Sequence, residues 1–199
     1  MPKDTCYSGY IKGIGRLYQL TGRYTHANIG FAKVYTDRTS LTAADFLNDK
    51  VLPFYDEHGI NVLRILTDCG AEYCGRTETH AYELFQHLNG FGDTKTKPRH
   101  PQTNGCAKRL NQTVQEKFYK VAFRKKLYQS LEETQADLDV FMAWYSGERA
   151  NQGRYRQGRT PRHTFLDGLE LYQKYVYENP VEEKGDDVNS EVPSPENRL

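Results

Sequence analysis

The first 36 residues alternate short runs of aromatic and β-branched residues with breaks that contain glycine or polar residues, a pattern typical of strands. The runs cover residues 7–12, 17–21 and 29–35, and the breaks between them are only a few residues long. Short breaks join neighbouring strands, so the pattern predicts a three-stranded antiparallel meander.

Residues 40–58 change to a helical period, and residues 61–67 then form a nearly continuous apolar run. The apolar face of the predicted helix is formed by Ala44, Leu47, Val51 and Tyr55. Ser40 or Thr42 can cap its start, and Gly59 fits its end. The run 61–67 predicts a central strand that is covered on both faces.

Further helices are predicted at residues 80–88, 102–124 and 130–145, with a short strand at 94–97 and a helix start at Thr160-Pro161. The helix before residues 61–67 allows that strand to lie parallel to the first. The order of elements therefore predicts an α/β fold with a five-stranded mixed sheet. Three strands would be antiparallel, two would be parallel, and helices would cover both faces.

The composition is that of a soluble domain with a sizeable core, at 37% hydrophobic and 13% aromatic residues. No run approaches the roughly 18–20 apolar residues of a membrane span, and no signal peptide is visible. The four cysteines form no CxxC pair, which predicts reduced thiols and only weakly indicates a zinc site. We therefore expect a cytoplasmic protein without a membrane partner.

The net charge of +1 conceals a strong local asymmetry. Residues 95–126 hold ten Lys and Arg against one acid, whereas residues 178–199 hold seven acids against two bases. The basic stretch favours contact with a phosphate backbone, although an ordinary solvated helix face remains an alternative. The acidic stretch is typical of a disordered tail.

Three segments carry the candidate chemistry: Lys-Asp-Thr at 3–5, Thr-Asp-Cys-Gly at 67–70, and His-Pro-Gln-Thr-Asn-Gly at 100–105 before the long helix. In this order they resemble the catalytic core of DDE-type integrases and insertion-sequence transposases, which cut and join DNA. The resemblance covers roughly residues 3–168 and implies a ribonuclease H-like fold. It also implies a DNA substrate, a homodimer or higher oligomer, and association with the nucleoid of a bacterial-type host.

In that family, three carboxylates hold two Mg²⁺ or Mn²⁺ ions, which activate the attacking oxygen and stabilise the leaving oxygen at phosphorus. The resemblance places the first two at Asp4 and Asp68, with 63 residues between them. The third position is Lys108, where the family has Glu, with 39 residues between it and Asp68. The resemblance thus implies metal binding by Asp4 and Asp68, and a catalytic position at 108 without its carboxylate.

Lys108 has no lone pair for a metal and adds positive charge where a dication would bind. At about 4–6 Å and an effective dielectric of about 20, each unit of charge is worth roughly 3–4 kcal/mol. We therefore expect impaired DNA cleavage and strand transfer, unless another acid such as Glu72 substitutes. Two alternatives remain open: a catalytically inactive nucleic-acid-binding remnant, and a ribonuclease H-like nuclease that uses another acid.

Phosphate contacts are expected along the helix after Gly105 and the loop before it, from side chains with positive charge or amide donors. These candidates are Lys95, Lys97, Arg99, His100, Gln102, Asn104, Arg109, Asn111 and Gln112. For the domain organisation we expect a catalytic core over 1–170 and an acidic, disordered tail over 171–199. An N-terminal DNA-recognition domain is expected to be absent, since the chain begins three residues before Asp4.

Overall fold

A computed structural model describes residues 1–62, 64–68, 70–76, 79–95, 104–152 and 156–178, with the backbone alone at 93–95 and 175–178. The first three strands are β1 (Lys3–Ile11), β2 (Gly15–Tyr24) and β3 (Ile29–Tyr35). They pair in sequence order and antiparallel, with Asp4 opposite Thr21 and Thr21 opposite Ala32. The predicted meander is confirmed.

A second, parallel pair is formed by β4 (Arg64–Thr67) and β5 (Gly92–Lys95). The described residues link it to the meander by an isolated parallel bridge between Pro2 and Leu66, where the Leu66 amide donates to the Met1 carbonyl at 2.8 Å. Pro2 has no amide hydrogen to donate to β4, so a regular ladder does not continue there. The three antiparallel and two parallel strands are present, but one continuous five-stranded sheet is not confirmed.

The helical stretch predicted at 40–58 consists of α1 (Ser40–Phe46), a π-helical turn (Leu47–Val51) and α2 (Leu52–Glu57). Its cap is Thr39, not Ser40 or Thr42 as predicted. Thr39 has extended backbone angles, and its hydroxyl accepts from the Thr42 amide while the Thr42 hydroxyl accepts from the Thr39 amide. This reciprocal capping box satisfies two donors that an isolated cap would leave free.

The remaining helices are α3 (Ala81–Leu88), α4 (Gly105–Val114), α5 (Lys120–Lys125), α6 (Leu131–Gly147) and α7 (Pro161–Glu178). A π-helical turn (Gln115–Tyr119) joins α4 to α5. The helix α7 continues past residue 170, where we predicted the core to end, and residues 179–199 lie outside the described residues. In the described part of the chain, no helix is long and apolar enough to cross a membrane.

Alternate residues of β3 bury their side chains in two separate cores, one on each face of the meander. Phe31 and Tyr35 belong to the first core, and Ala32 and Val34 belong to the second. The first core is completed by α1, α2, α3 and α7, and the second by α4 and α6, through residues such as Phe46, Tyr55, Tyr82, Phe165, Leu110, Val114, Leu138 and Met142. Helices therefore cover both faces of the meander, as predicted.

Gly30 marks the point where the second core approaches β3 most closely. A Cβ atom at this position would lie 2.7 Å from the Met142 Cε and 3.1 Å from a Leu110 methyl carbon, closer than packed carbons normally approach. We expect Gly30→Ala to lower the free energy of unfolding by about 1–2 kcal/mol through overpacking, as measured by denaturant titration. Gly147→Ala is the matched control, because a Cβ there meets nothing within 4 Å. Equal effects of the two substitutions would contradict the prediction.

Candidate active site

The first two sequence-predicted carboxylates lie where the two sheets meet. Asp4 is the second residue of β1, and Asp68 directly follows β4. Pro2 and Leu66 form the bridge between the sheets, and Asp4 and Asp68 lie two residues after Pro2 and Leu66, respectively. Because side chains two positions apart in an extended chain point to the same face, the parallel register aligns these carboxylates side by side.

The environment of Asp4 shows that the third predicted position, Lys108, belongs to the same site. Asp4 is only 8% exposed. Burial, followed by the negative charge of Asp68, raises the pKa of Asp4 to about 6, although hydrogen bonding from Asn111 and the positive charge of Lys108 pull this pKa down. The structure thus brings Asp68 and Lys108 within electrostatic reach of Asp4.

Asn111 holds the Asp4 carboxylate in a fixed orientation. Its amide nitrogen donates to Asp4 Oδ2 at 2.9 Å. Its carbonyl oxygen accepts from Thr21 Oγ1 at 2.7 Å and from Gln19 Nε2 at 3.1 Å. All three partners lie on β1 or β2, so the Asn111 amide both orients the acid and docks α4 onto the meander.

Two residues predicted to contact DNA are instead used inside the protein. Asn111 is buried because α4 presents the face of Leu110 and Val114 to the sheet, and Asn111 lies on that face. Asn104 is also buried, and its amide donates to the Lys3 carbonyl at 2.6 Å. The amide donors of both residues are therefore engaged with β1, and we correct their predicted contact with phosphates to a structural role.

The other predicted DNA contacts divide into exposed residues and residues beyond the described chain. Arg109 and Gln112 are exposed on α4, as is the neighbouring Lys108, and Gln112 donates to Glu116 Oε1 at 3.0 Å. At Lys95 only the backbone is described. The predicted contacts outside the described residues are Lys97, Arg99, His100 and Gln102.

Tyr73 is a site residue that no sequence pattern indicated. It is fully buried, and its hydroxyl shares a hydrogen bond of 2.6 Å with the hydroxyl of Thr5. Burial raises the pKa of Tyr73 well above its ordinary value, and the charges of Glu72, Asp4 and Asp68 raise it further. Tyr73 therefore remains a neutral hydroxyl beside the acids, joined to β1 across 68 positions of sequence.

On the opposite face of β1, next to Asp4 in sequence, Lys3 anchors the strand in the first core. Its side chain is fully buried, and Nζ donates to the Ala43 carbonyl at 3.2 Å. The ammonium also lies 4.3 Å from the ring centre of Tyr82, 5.2 Å from that of Tyr73 and 5.3 Å from that of Phe46. These cation–π contacts hold β1 against the first core, whereas Asp4 faces α4 on the other side of the strand.

A two-metal centre does not fit these residues. Two carboxylates converge, but one oxygen of Asp4 already accepts from Asn111, and the third position carries an ammonium. Glu72 is nearly buried and folds over Gly70, where an added Cβ would lie 2.7 Å from its Oε2. Within the described residues, no three His, Cys, Asp or Glu side chains are grouped so as to hold a metal ion. Among the described residues, Glu72 thus forms no three-ligand group with Asp4 and Asp68.

No protein-family model and no curated protein sequence matches this chain. Solved structures do resemble it. A chain of the simian T-cell lymphotropic virus intasome in complex with PP2A regulatory subunit B56 gamma has a TM-score of 0.65 at 17% identity, over 81% of this chain and 52% of that one. This chain thus spans about half the length of that one.

Isolated integrase catalytic cores match over nearly their whole length. The BIV core gives a TM-score of 0.58 at 17% identity, over 87% of this chain and 97% of that one. The HTLV-2 core in complex with magnesium, in its dimeric form, gives 0.58 at 12% identity, over 80% and 90%. At these identities the likeness shows the fold, which is that of the integrase catalytic core and hence ribonuclease H-like.

Proposed function

We propose that this chain is a DNA-processing core of the integrase and transposase type, in which Lys108 weakens cleavage and strand transfer. The observation that carries the proposal is the convergence at Asp4, whose carboxyl is acted on by the charges of both Asp68 and Lys108. Asp4, Asp68 and Lys108 are far apart in sequence and meet in a fold shared with retroviral integrase cores. The first two residues supply negative charge, and Lys108 supplies positive charge.

The roles of the chain's own residues follow from their contacts. Asn111, held by Thr21 and Gln19, fixes the orientation of the Asp4 carboxylate. Lys108 offsets part of the negative charge of the acid pair, and with it part of the attraction for a cation. Asp4 and Asp68 would hold a Mg²⁺ or Mn²⁺ ion, and the chemistry that such an ion would supply is activation of the attacking oxygen and stabilisation of the leaving oxygen.

DNA would be held by the basic, exposed side of α4 and the helical segment after it. The exposed cations there are Lys108, Arg109, Lys117, Lys120, Arg124 and Lys125. Such contacts are made to phosphates, so they give affinity without choice of sequence and weaken steeply as salt rises. We further propose that the chain acts as a homodimer or a higher oligomer, as DNA joining at two ends requires two cores.

The second candidate is a DNA-binding remnant without catalytic activity. It is favoured by the substitution at position 108 and by the lack of a three-ligand metal group among the described residues. The two candidates share the basic surface and differ only in whether Asp4 and Asp68 still perform chemistry.

A DNA-nicking assay with Mg²⁺ or Mn²⁺ separates the two candidates. For the proposed core we expect slow nicking by the wild type, loss of nicking in Asp68→Asn, and retention in Asp56→Asn. Asp56 is an exposed acid on α2 and serves as the matched control. DNA binding should persist in all three proteins and fall with salt.

The alternative outcomes are also decisive. If the wild type and Asp68→Asn both bind DNA and neither of them nicks it, the result would favour the remnant. A wild type that neither binds nor nicks DNA would contradict both candidates.

A further inference from the structure

A second charged feature lies beside α4, and Asp4, Asp68 and Lys108 are not among the residues that line it. It is a cleft of about 340 Å³ into which four arginines from separate parts of the chain converge. Arg23 comes from β2, Arg109 from α4, Arg149 from the segment after α6, and Arg156 from the segment before α7. The other residues that line the cleft are Asn28, Thr113, Tyr145, Ala150, Asn151, Gln152 and Pro161, so no described lining residue is acidic.

Buried hydrogen-bond donors of this cleft lack acceptors within the described residues. Arg23 is 6% exposed and Asn28 is 2% exposed. One terminal nitrogen of Arg23 donates to the Cys106 carbonyl at 2.9 Å. The Nε of Arg23 and the side-chain nitrogen Nδ2 of Asn28 have no partner among the described residues. Arg156 donates through Nη2 to the carbonyls of Thr25 and His26, and its Nε is likewise without a partner. Buried donors of this kind ordinarily have an acceptor.

Among the residues that the structure describes, the positive charge of the cleft also has no acidic partner. Within the described chain, none of the four arginines takes part in an ion pair. Burial, followed by the like charge of Arg23, lowers the pKa of Arg156. Arg149 lies over the ring of Tyr145 at 5.1 Å, which fixes its guanidinium at the wall of the cleft. Converging cations, of which Arg23 is buried and Arg149 and Arg156 are partly buried, are costly unless an anion offsets them.

We propose that this cleft binds a phosphate group. Donors approach from β2, from α4 and from the two segments that flank the α6–α7 connection, so the anion must accept from several directions at once. A phosphate presents tetrahedral oxygens that suit several guanidinium groups, whereas a single carboxylate presents two oxygens in one plane. The volume of the cleft admits a phosphate group but not a duplex.

The position of the cleft relates it to the Asp4 site without making it part of that site. Arg23 follows Thr21 by two residues on the same face of β2, which is about 7 Å along a strand. Thr21 donates to Asn111 and Arg23 donates to the Cys106 carbonyl, so α4 lies over both residues. The phosphate can come from a nucleic-acid strand passing over α4 or from a free phosphate. Neither source requires Asp4, Asp68 or a metal, so the proposal does not rest on the proposed function.

Titration of the full chain with inorganic phosphate at constant ionic strength tests the proposal. We expect saturable binding, seen as a rise in Tm and by calorimetry, that weakens about tenfold in Arg109→Gln and in Arg149→Gln. Both residues are at least partly accessible, so these variants should keep the fold. Arg16→Gln, an exposed arginine at the start of β2, is the matched control and should bind like the wild type.

The other outcomes overturn the proposal or identify the source of the phosphate. Equal stabilisation by acetate or chloride, or an equal response of all four proteins, would show a general salt effect and overturn it. A short single-stranded oligonucleotide provides the second arm. If Arg109→Gln and Arg149→Gln weaken oligonucleotide binding and phosphate competes with it, the pocket takes a strand phosphate. If phosphate binds through these arginines but the oligonucleotide is unaffected, the pocket takes free phosphate.

Discussion

Lys108→Glu is expected to increase the rate of DNA nicking in Mg²⁺ by about a hundredfold over the wild type. The substitution removes an ammonium that acts on Asp4 and adds a carboxylate where the acid pair lacks a third member. At about 5 Å and an effective dielectric of about 20, one unit of charge is worth about 3 kcal/mol, which corresponds to roughly two powers of ten in rate. Single-turnover nicking under matched DNA saturation measures the gain.

Lys117→Glu is the control for this experiment. Lys117 is an exposed lysine in the π-helical turn after α4, nine residues beyond Lys108, and its substitution makes the same change of charge on the same basic surface. We expect weaker DNA binding in both variants and faster nicking only in Lys108→Glu. The hypothesis that Lys108 impairs catalysis fails if the wild type nicks as fast as Lys108→Glu, or if Lys117→Glu gains as much.

Asp4→Asn is expected to stabilise the protein at pH 7 by up to about 3 kcal/mol, because each pKa unit corresponds to about 1.36 kcal/mol. The pKa of Asp4 is raised in the folded chain from 3.8 to about 6, so folding favours its protonated form. The stability that this carboxyl contributes is fully present below pH 3.8 and is lost as the pH rises through 6. Asn cannot ionise and can still accept from Asn111, so it avoids that loss.

Denaturant unfolding at several pH values tests this prediction. The difference between Asp4→Asn and the wild type should be largest at pH 7 and should approach zero near pH 4. Asp56→Asn, at an exposed position, controls for the removal of one acidic side chain. A gain in stability that does not change with pH would show that the ionisation of Asp4 is not its cause. We expect Asp4→Asn to be more stable than the wild type and to lack any nicking activity, as is typical when a residue serves function at the expense of stability.

The meander and the helices were predictable because each depends on a local period. The alternation along residues 29–35 is the same alternation that sends Phe31 to one core and Val34 to the other. The joining of the sheets was not predictable from local sequence, because it depends on Pro2 meeting Leu66 across the fold.

Within the site, the sequence located the positions but not always their surroundings. Asn111 was predicted to contact phosphates from the helix after Gly105, but α4 docks on the meander through this residue, whose side chain donates to Asp4. Tyr73, Arg23, Arg149 and Arg156 had no local signal, whereas Arg109 lies in the basic stretch for which phosphate contacts were predicted. Arg23 and Arg156 meet only in the folded chain, where β2 and the segment before α7 come together.

The bridge between Pro2 and Leu66 has a consequence for how this site tolerates change. In a sheet with a full ladder, many hydrogen bonds would fix the spacing between Asp4 and Asp68. Here, among the described contacts, that spacing depends mainly on the pairing of Pro2 with Leu66, two positions before each acid. Substitutions at the end of β4 can therefore alter the separation of the carboxylates while both acids and the two cores remain intact. The geometry of the acid pair is accordingly more open to mutation than the stability of the fold.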